Sequence, residues 1–409
     1  MSYIDRAIEP LVSSVAAEYS VILVTGPRQV GKSTLLQHVL QQRDETVEQV
    51  TLDDLSNRQL AIEDPAMFFQ IHRPPILVDE VQYAPNLFSE IKMMVDKGAP
   101  AGSFWLTGSQ QFRLMELAGE SLAGRAAILP LSSLTQKEVR QLPGGAFSLD
   151  IDFWRKRQET VSPLSISQLF DAIFKGSMPS IDSGKQANLP VFYSSYIQTY
   201  IERDVRRLLG SVDALQYADF MRATAARCSQ LLNVASIAQD VGIRQEKAKA
   251  WLAVLEKSGI IFYLHPYSNN QLKRTVRAPK LYFHDCGLVA HLTRWSSPET
   301  LGAGAMAGAF VENFVVSEVY KSFLNTGVEP PLYYYRDHDA KEIDLIIEEN
   351  GVLHPIEIKK TASPNLEMIR SFKTLDKGSM PVGRGAIVCA AQMFGALNAN
   401  TLIIPAGLL

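Results

Sequence analysis

The sequence predicts an α/β protein of several domains, led by a parallel sheet with a phosphate-binding loop. Three observations carry this reading. Over the first 140 residues, short apolar runs alternate with helical patterns, as in a parallel sheet covered by helices. A glycine-rich loop follows the first of those runs and opens a helix. The chain's 409 residues exceed one ordinary domain, and 46% hydrophobic against 20% charged residues gives it cores to bury rather than wholesale disorder.

Taken in order, Val21 to Thr25 is a strand and Lys32 to Gln41 the helix beyond the loop. Gln49 to Leu52, Ile76 to Val78, Phe104 to Thr107 and Ala127 to Leu131 are further strands. Pro143-Gly144-Gly145 punctuates the end of this block, which is assigned residues 1–145. Residues 146–212 read as a helical linker, broken at Gly176 and Pro179. A third unit covers 213–295 and a strand-rich fourth covers 296–409. Within the fourth, Gly385 to Leu409 carries no charge over 25 residues. Gln392, Asn398, Asn400 and Pro405 interrupt it, so it reads as buried sheet rather than a membrane span.

A formal net charge of −3 excludes a global basic field, so any nucleic-acid contact must come from a local patch. Cys228, Cys286 and Cys389 lie too far apart for a zinc or disulfide framework, which fits a reducing compartment. The amino terminus is polar, unlike a secretory signal. A soluble, cytoplasmic chain without a membrane partner is expected.

Gly26-Pro27-Arg28-Gln29-Val30-Gly31-Lys32-Ser33-Thr34 has two glycines five apart followed by Lys-Ser, directly after a strand and opening a helix. Glycine lets the backbone present its N–H groups to an anion, and the helix amino terminus adds positive charge. In that setting Lys32 reaches the outer phosphates of ATP, and Ser33 offers its hydroxyl to Mg2+.

Pro75-Ile76-Leu77-Val78-Asp79-Glu80 is an apolar run ending in two carboxylates, as a strand buried on both faces does when its carboxyl end opens at a site. Asp79 is the second metal candidate, and Glu80 the group that polarises the attacking water. Ser109, after Trp105-Leu106-Thr107-Gly108, either senses the γ-phosphate or caps a helix. Arg125 either stabilises charge on the transferring phosphoryl group or sits in a surface salt bridge. Which of Arg113, Arg125 and Arg203 faces the γ-phosphate stays open.

These residues resemble an AAA-type P-loop ATPase family widespread in bacteria and archaea, whose members add a carboxy-terminal domain of unassigned function. The likeness rests on the loop and on Leu52-Asp53-Asp54, Asp79-Glu80-Val81-Gln82, Leu106-Thr107-Gly108-Ser109 and Leu122-Ala123-Gly124-Arg125 with Pro130-Leu131. It continues in Tyr200-Ile201-Glu202-Arg203-Asp204, in Lys280 to Leu288, and from Glu312-Asn313 to Lys359. His284 departs from it, standing where such proteins often have a small or apolar residue. The resemblance implies ATP binding, an AAA-like core and a DNA- or partner-directed second half.

In the third unit, Ser236 to Val241, Gly242 and Arg244 to Lys257 form a helix–turn–helix pattern. Ala248, Trp251, Leu252 and Leu255 give its second helix one buried face. Ile260 to Leu264 and Lys280 to Phe283 read as strands around Asn269-Asn270, so a winged helix is expected. Lys273, Arg274, Arg277 and Lys280 put four cations in eight residues without an acid, as phosphate contacts with DNA require.

In the fourth unit, Glu342-Ile343-Asp344 and Pro355-Ile356-Glu357-Ile358-Lys359 are adjacent strands across a Gly351 turn. Alternation puts Glu357 and Lys359 on one face. Glu312, on a helix from Phe310 to Phe323, can join them. The set Glu312, Asp344, Glu357 and Lys359 resembles a restriction-endonuclease-like site, in which carboxylates bind magnesium and a lysine helps water attack phosphate. Where that pattern has Pro before the Asp, this chain has Ile343. The other reading is a hairpin of solvated charges.

The expected function is an ATP-binding, magnesium-dependent ATP-hydrolysing switch or motor whose second half engages DNA and can act as a nuclease. The alternative is a nucleotide-dependent regulator that binds or releases a protein partner, without nuclease activity. Either is compatible with an oligomer.

Overall fold

Five short apolar runs become β1 (Val21–Thr25), β2 (Glu48–Thr51), β3 (Ile76–Asp79), β4 (Phe104–Gly108) and β5 (Ala126–Pro130). In the computed structural model they form one sheet in the order β2-β3-β4-β1-β5, every pairing parallel. The structure describes residues 3–43, 46–108, 119, 122–267, 278–337 and 341–409. Strand β1 is buried throughout, and its side chains divide by parity. Val21 and Leu23 enter one apolar cluster with Phe68 and Phe88; Ile22 and Val24 enter another with Leu35 and Leu36. Because β4 is inserted between β1 and β3, the loop after β1 and the acids ending β3 face each other across the end of β4.

Residues 151–200 are helical as expected, over Ile151–Thr160, Ile166–Lys175, Pro179–Asp182 and Leu189–Tyr200. The last continues into a π-helical turn, Ile201–Val205, which the sequence does not distinguish from ordinary helix. The expected helix pair is present as Val234–Val241 and Gln245–Lys257, joined through Gly242 in the left-handed region at φ +69°. Ala248, Trp251, Leu252 and Leu255 are buried. The wing-like connection around Asn269-Asn270 lies outside the described residues.

A second sheet contains β6 (Gln230–Leu231), β7 (Ile261–Pro266), β8 (Lys280–Phe283), β9 (Leu332–Arg336), β10 (Glu342–Glu349) and β11 (Val352–Lys359). Beyond these come β12 (Gly385–Cys389), β13 (Gly395–Asn398) and β14 (Thr401–Pro405). Its order is β13-β14-β12-β11-β10-β9-β7-β8-β6. Strand β7 pairs in parallel with β9, His265 beside Tyr333, so the sheet runs unbroken across residue 296. One apolar core accordingly extends from Phe147 to Leu409. The uncharged carboxy-terminal stretch supplies β12 and β14, the reading made from its strand-length apolar runs. No helix among the described residues is long and apolar enough to cross a membrane.

The helix Ala307–Leu324 ties the two sheets together. Its Glu318 accepts from the Gln136 N–H at 2.7 Å, and its Lys321 Nζ donates to the Leu134 carbonyl at 2.7 Å.

Candidate active site

The strand–loop–helix segment places its residues by backbone conformation. Gly26 takes φ +144° with its back against the Leu131 carbonyl, where an added Cβ would lie 2.0 Å from the oxygen. Gly31, at φ +89°, precedes the helix Lys32–Gln41 and contributes no side-chain cap. The first N–H groups of that helix therefore remain for an anion. Arg6, itself buried, supports the loop from behind through Nη1 on the Val30 carbonyl at 2.8 Å. Beside the loop is a cavity of about 550 Å³ lined by Tyr3, Gln29, Thr34, Pro179, Lys185 and Phe192.

Lys32 is buried, and its Nζ donates to the carbonyls of Pro27 at 2.7 Å and Gly26 at 3.0 Å. Burial pushes its ammonium down to about 8. Ser33 Oγ donates to Asp79 Oδ1 at 2.6 Å, and Thr107 Oγ1 donates to the same oxygen. Glu80, in the left-handed region at φ +59°, gives its N–H to Thr107 Oγ1 at 3.3 Å and accepts from Gln82 Nε2. The structure thus gathers Lys32, Ser33, Asp79 and Glu80 at one sheet end. Thr107 is the contributor the sequence reading passed over; its position between Leu106 and Gly108 at the end of an apolar strand was the available signal. Hard oxygen donors on Ser33 and Asp79 fit a magnesium ion, and the glycine-lined loop with its uncapped helix fits a polyphosphate.

Arg28, read from sequence as a loop residue, forms a bidentate pair with Asp204 in the π-helical turn, Nε to Oδ2 at 2.5 Å and Nη2 to Oδ1 at 3.0 Å. Burial opposes the guanidinium charge, but Asp204 outweighs it and raises its pKa. Arg125 pairs with Asp96 at 2.6 Å on the surface, the salt-bridge alternative of the two readings. Arg203 is exposed. Ser109 and Arg113 lie outside the described residues, as do Lys273, Arg274 and Arg277.

The second constellation also comes together. Lys359 Nζ lies 2.5 Å from Glu357 Oε1 and 3.3 Å from Asp344 Oδ2, and Asp344 Oδ2 accepts from the Ile358 N–H at 2.9 Å. Glu312, from the long helix, accepts from Tyr282 Oη at 2.7 Å. Burial, reinforced by the Asp344 charge, pushes both Glu312 and Glu357 well above the usual carboxylate range.

Lys280 corrects the expectation placed on it. Rather than offering a surface cation to phosphate, its side chain is 3% exposed and pairs with Glu342 at 2.5 Å, Glu312 at 2.8 Å and Asp344 at 3.9 Å. Burial works against its charge, yet those three carboxylates together raise its pKa. These acids do not converge as a three-ligand metal set among the described residues; the one such group is Asp5, Glu9 and His38. In this arrangement the Lys280 ammonium sits among the carboxylates and offsets part of their negative charge.

His284, the departure from the family pattern, is half-buried; its carbonyl accepts from Ser133 and Ser317. Its Nδ1 lies 3.3 Å from Ser132 Oγ, so the residue joins the first block to the second.

Comparison with known proteins finds matches over three stretches of the chain. Residues 18–140 match an AAA domain. Residues 166–299 and 307–409 match two domains of unknown function, DUF8612 and DUF4143. Two uncharacterized proteins, from Mycobacterium bovis and Mycobacterium tuberculosis, are each 28% identical over 389 residues, covering 94% of this chain and 80% of theirs. Among solved structures, a Walker-type ATPase of Pyrococcus abyssi aligns with 71% of this chain and 96% of its own at 16% identity and TM-score 0.46. The RuvB Holliday junction branch migration motor of Thermotoga maritima aligns with 62% of this chain and 86% of its own at 13% identity and TM-score 0.31. With the loop geometry above, the match over residues 18–140 makes the amino-terminal block an AAA-like P-loop domain.

Proposed function

We propose that the chain is an ATP-hydrolysing, magnesium-dependent switch whose second half engages DNA. The observation that carries the first part is the 2.6 Å hydrogen bond from Ser33 to Asp79, which joins the phosphate loop to the acidic strand end. In this reading Ser33 and Asp79 hold the ion, which when bound offsets negative charge on the phosphates. Lys32 leaves the loop carbonyls for the outer phosphate oxygens. Glu80, steered by Gln82, orients a water toward the γ-phosphoryl group and takes its proton. The cavity beside the loop gives room for the nucleoside.

Chain connectivity supports the DNA part. Lys273, Arg274 and Arg277 belong to the connection between β7 and β8, and β8 begins at Lys280 in the carboxylate–lysine cluster. A basic segment and that cluster therefore adjoin along the chain. Lys280's own pairing favours a second reading at this site, a partner-binding surface without nuclease activity, because it already neutralises the acids that cutting would need.

The test is ATP turnover by wild type and Glu80→Gln, with and without duplex or single-stranded DNA at low salt. Glu80→Gln should retain nucleotide and stall hydrolysis, and DNA should stimulate the wild type. Equal turnover in the two proteins removes Glu80 from its role; absence of DNA binding even at low salt removes the nucleic-acid reading. Any magnesium-dependent cutting should vanish in Lys359→Ala.

A further inference from the structure

Two sequence motifs, the phosphate loop and Tyr200 to Asp204, meet in one ion pair. Asp204 takes Nε and Nη2 of Arg28 and so occupies one edge of the guanidinium fork. Nη1, on the other edge, makes no hydrogen bond among the described residues. The arginine lies close enough to Glu80 for that charge to act on it and close enough to Lys32 to act on that ammonium, which puts it on the side of the loop where the strand-end acids gather. Asp204 itself is 4% exposed, turned inward by a π-helical turn whose neighbours Glu202 and Arg203 face solvent. Such turns recur at functional positions.

We propose that Arg28 is the arginine that contacts the γ-phosphoryl group, through Nη1, and that Asp204 is its positioning residue. This rests on the ATP-hydrolysis reading of the same site. Charge grows on the outer oxygens as the γ-phosphoryl group transfers, and a planar, permanently charged fork suits that task better than an ammonium. A buried carboxylate stripped of its cation is costly, so the pair does not need to break. Asp204 keeps its edge while Nη1 meets the phosphate. The same bond makes the helical region around residue 204 feel whether a γ-phosphate is present. Of the three arginines the sequence leaves open, Arg125 is paired with Asp96, Arg203 is exposed, and Arg113 lies outside the described residues.

Four full-length proteins decide this: wild type, Arg28→Ala, Asp204→Asn and the exchange Arg28→Asp with Asp204→Arg. Each is measured for binding of fluorescent ATP and ADP analogues, for steady-state hydrolysis and for thermal unfolding. Wild type should prefer ATP to ADP, and Arg28→Ala should lose that preference. Its kcat should fall about 1000-fold or more, as removal of a transition-state arginine does elsewhere, with a smaller change in KM. Asp204→Asn should lower kcat less while still binding ATP. The exchange should regain unfolding temperature by rebuilding the ion pair, yet leave kcat low because the arginine has left the loop. Turnover in Arg28→Ala within about threefold of wild type, or full recovery of kcat by the exchange, would reduce the pair to a tether and overturn the proposal. A wild type that binds ATP but never hydrolyses it would end the hydrolysis reading separately, and the ATP-over-ADP preference would still decide on Arg28.

Discussion

Lys32 Nζ donates to the Pro27 carbonyl at 2.7 Å, folding the loop's ammonium into the loop itself. Buried there and pushed down to about 8, it loses its charge in the free protein as pH rises through that value.

A triphosphate needs Lys32 charged. Below pH 8 the ammonium already is; above it the free protein must take up a proton to bind. Affinity for Mg·ATP is therefore expected to decline as pH rises through about 8, with proton uptake on binding. Titration calorimetry in buffers of different ionisation enthalpy reads both. Lys32→Ala should bind no nucleotide, and a wild-type affinity flat from neutral pH into the alkaline range would show that Lys32 does not titrate in the binding step.

Gly26 makes a harsher demand. An alanine there meets the Leu131 carbonyl oxygen at 2.0 Å in a backbone conformation, φ +144°, that L side chains rarely adopt. Carbonyl and loop cannot both stay, so Gly26→Ala should cost roughly 2–4 kcal/mol and weaken nucleotide binding. Gly98 is the control: it has φ +96° but open space around its Cβ position, so alanine there should cost only about 1 kcal/mol of strain. Denaturant unfolding of the two variants should separate them clearly; matching values would mean that the Leu131 contact relaxes freely.

His284 gives the junction between the halves a pH dependence. Burial first, and the Lys321 charge second, push its imidazole from 6.5 down to about 3. The folded protein thus binds this proton less readily than the unfolded chain. The stability attached to the neutral ring is complete above pH 6.5 and is lost as pH falls from there toward 3. Across that window the folding constant should fall by up to about tenfold per pH unit. His284→Phe keeps a ring against Phe262 and Tyr320 and should flatten the slope. Unfolding at neutral and mildly acidic pH checks it, and parallel slopes would clear His284 of the effect.

What could be read beforehand follows from how far apart the partners lie in the chain. Strand β1, the loop and its helix are contiguous, and Val21–Thr25 and Lys32–Gln41 were delimited by apolar periodicity and glycine alone. Alternation within one strand likewise put Lys359 beside Glu357. Neither device reaches across the fold. Asp204 lies 176 residues from Arg28, and nothing in Tyr200 to Asp204 announces a π-helical turn. Lys280 misled for the same reason. No acid stands among residues 273–280, while Glu312, 32 residues on, reaches it from a helix and Glu342 from a strand three places away in the sheet. Local charge counting reads the chain's surroundings in sequence, whereas burial is set by the fold.

Lys280 therefore yields a prediction that local charge would not. Its ammonium is the shared partner of Glu312, Glu342 and Asp344, and Lys280→Met leaves those carboxylates facing one another without it. Breaking a buried pair from one side typically costs roughly 3–5 kcal/mol, and a loss of that size is expected near neutral pH. Since the harm is repulsion and desolvation of carboxylates, protonating them relieves it, so the deficit should shrink as pH is lowered. Lys359, with its side chain 37% exposed, pairs with Glu357 and Asp344 in reach of solvent, and Lys359→Met should cost about 1 kcal/mol or less. Denaturant unfolding of both variants above and below neutral pH distinguishes the cases. If Lys280→Met proves no more costly than Lys359→Met, Lys280 is not what holds the acids together, and the reason for reading this cluster as a binding surface rather than a cutting site disappears with it.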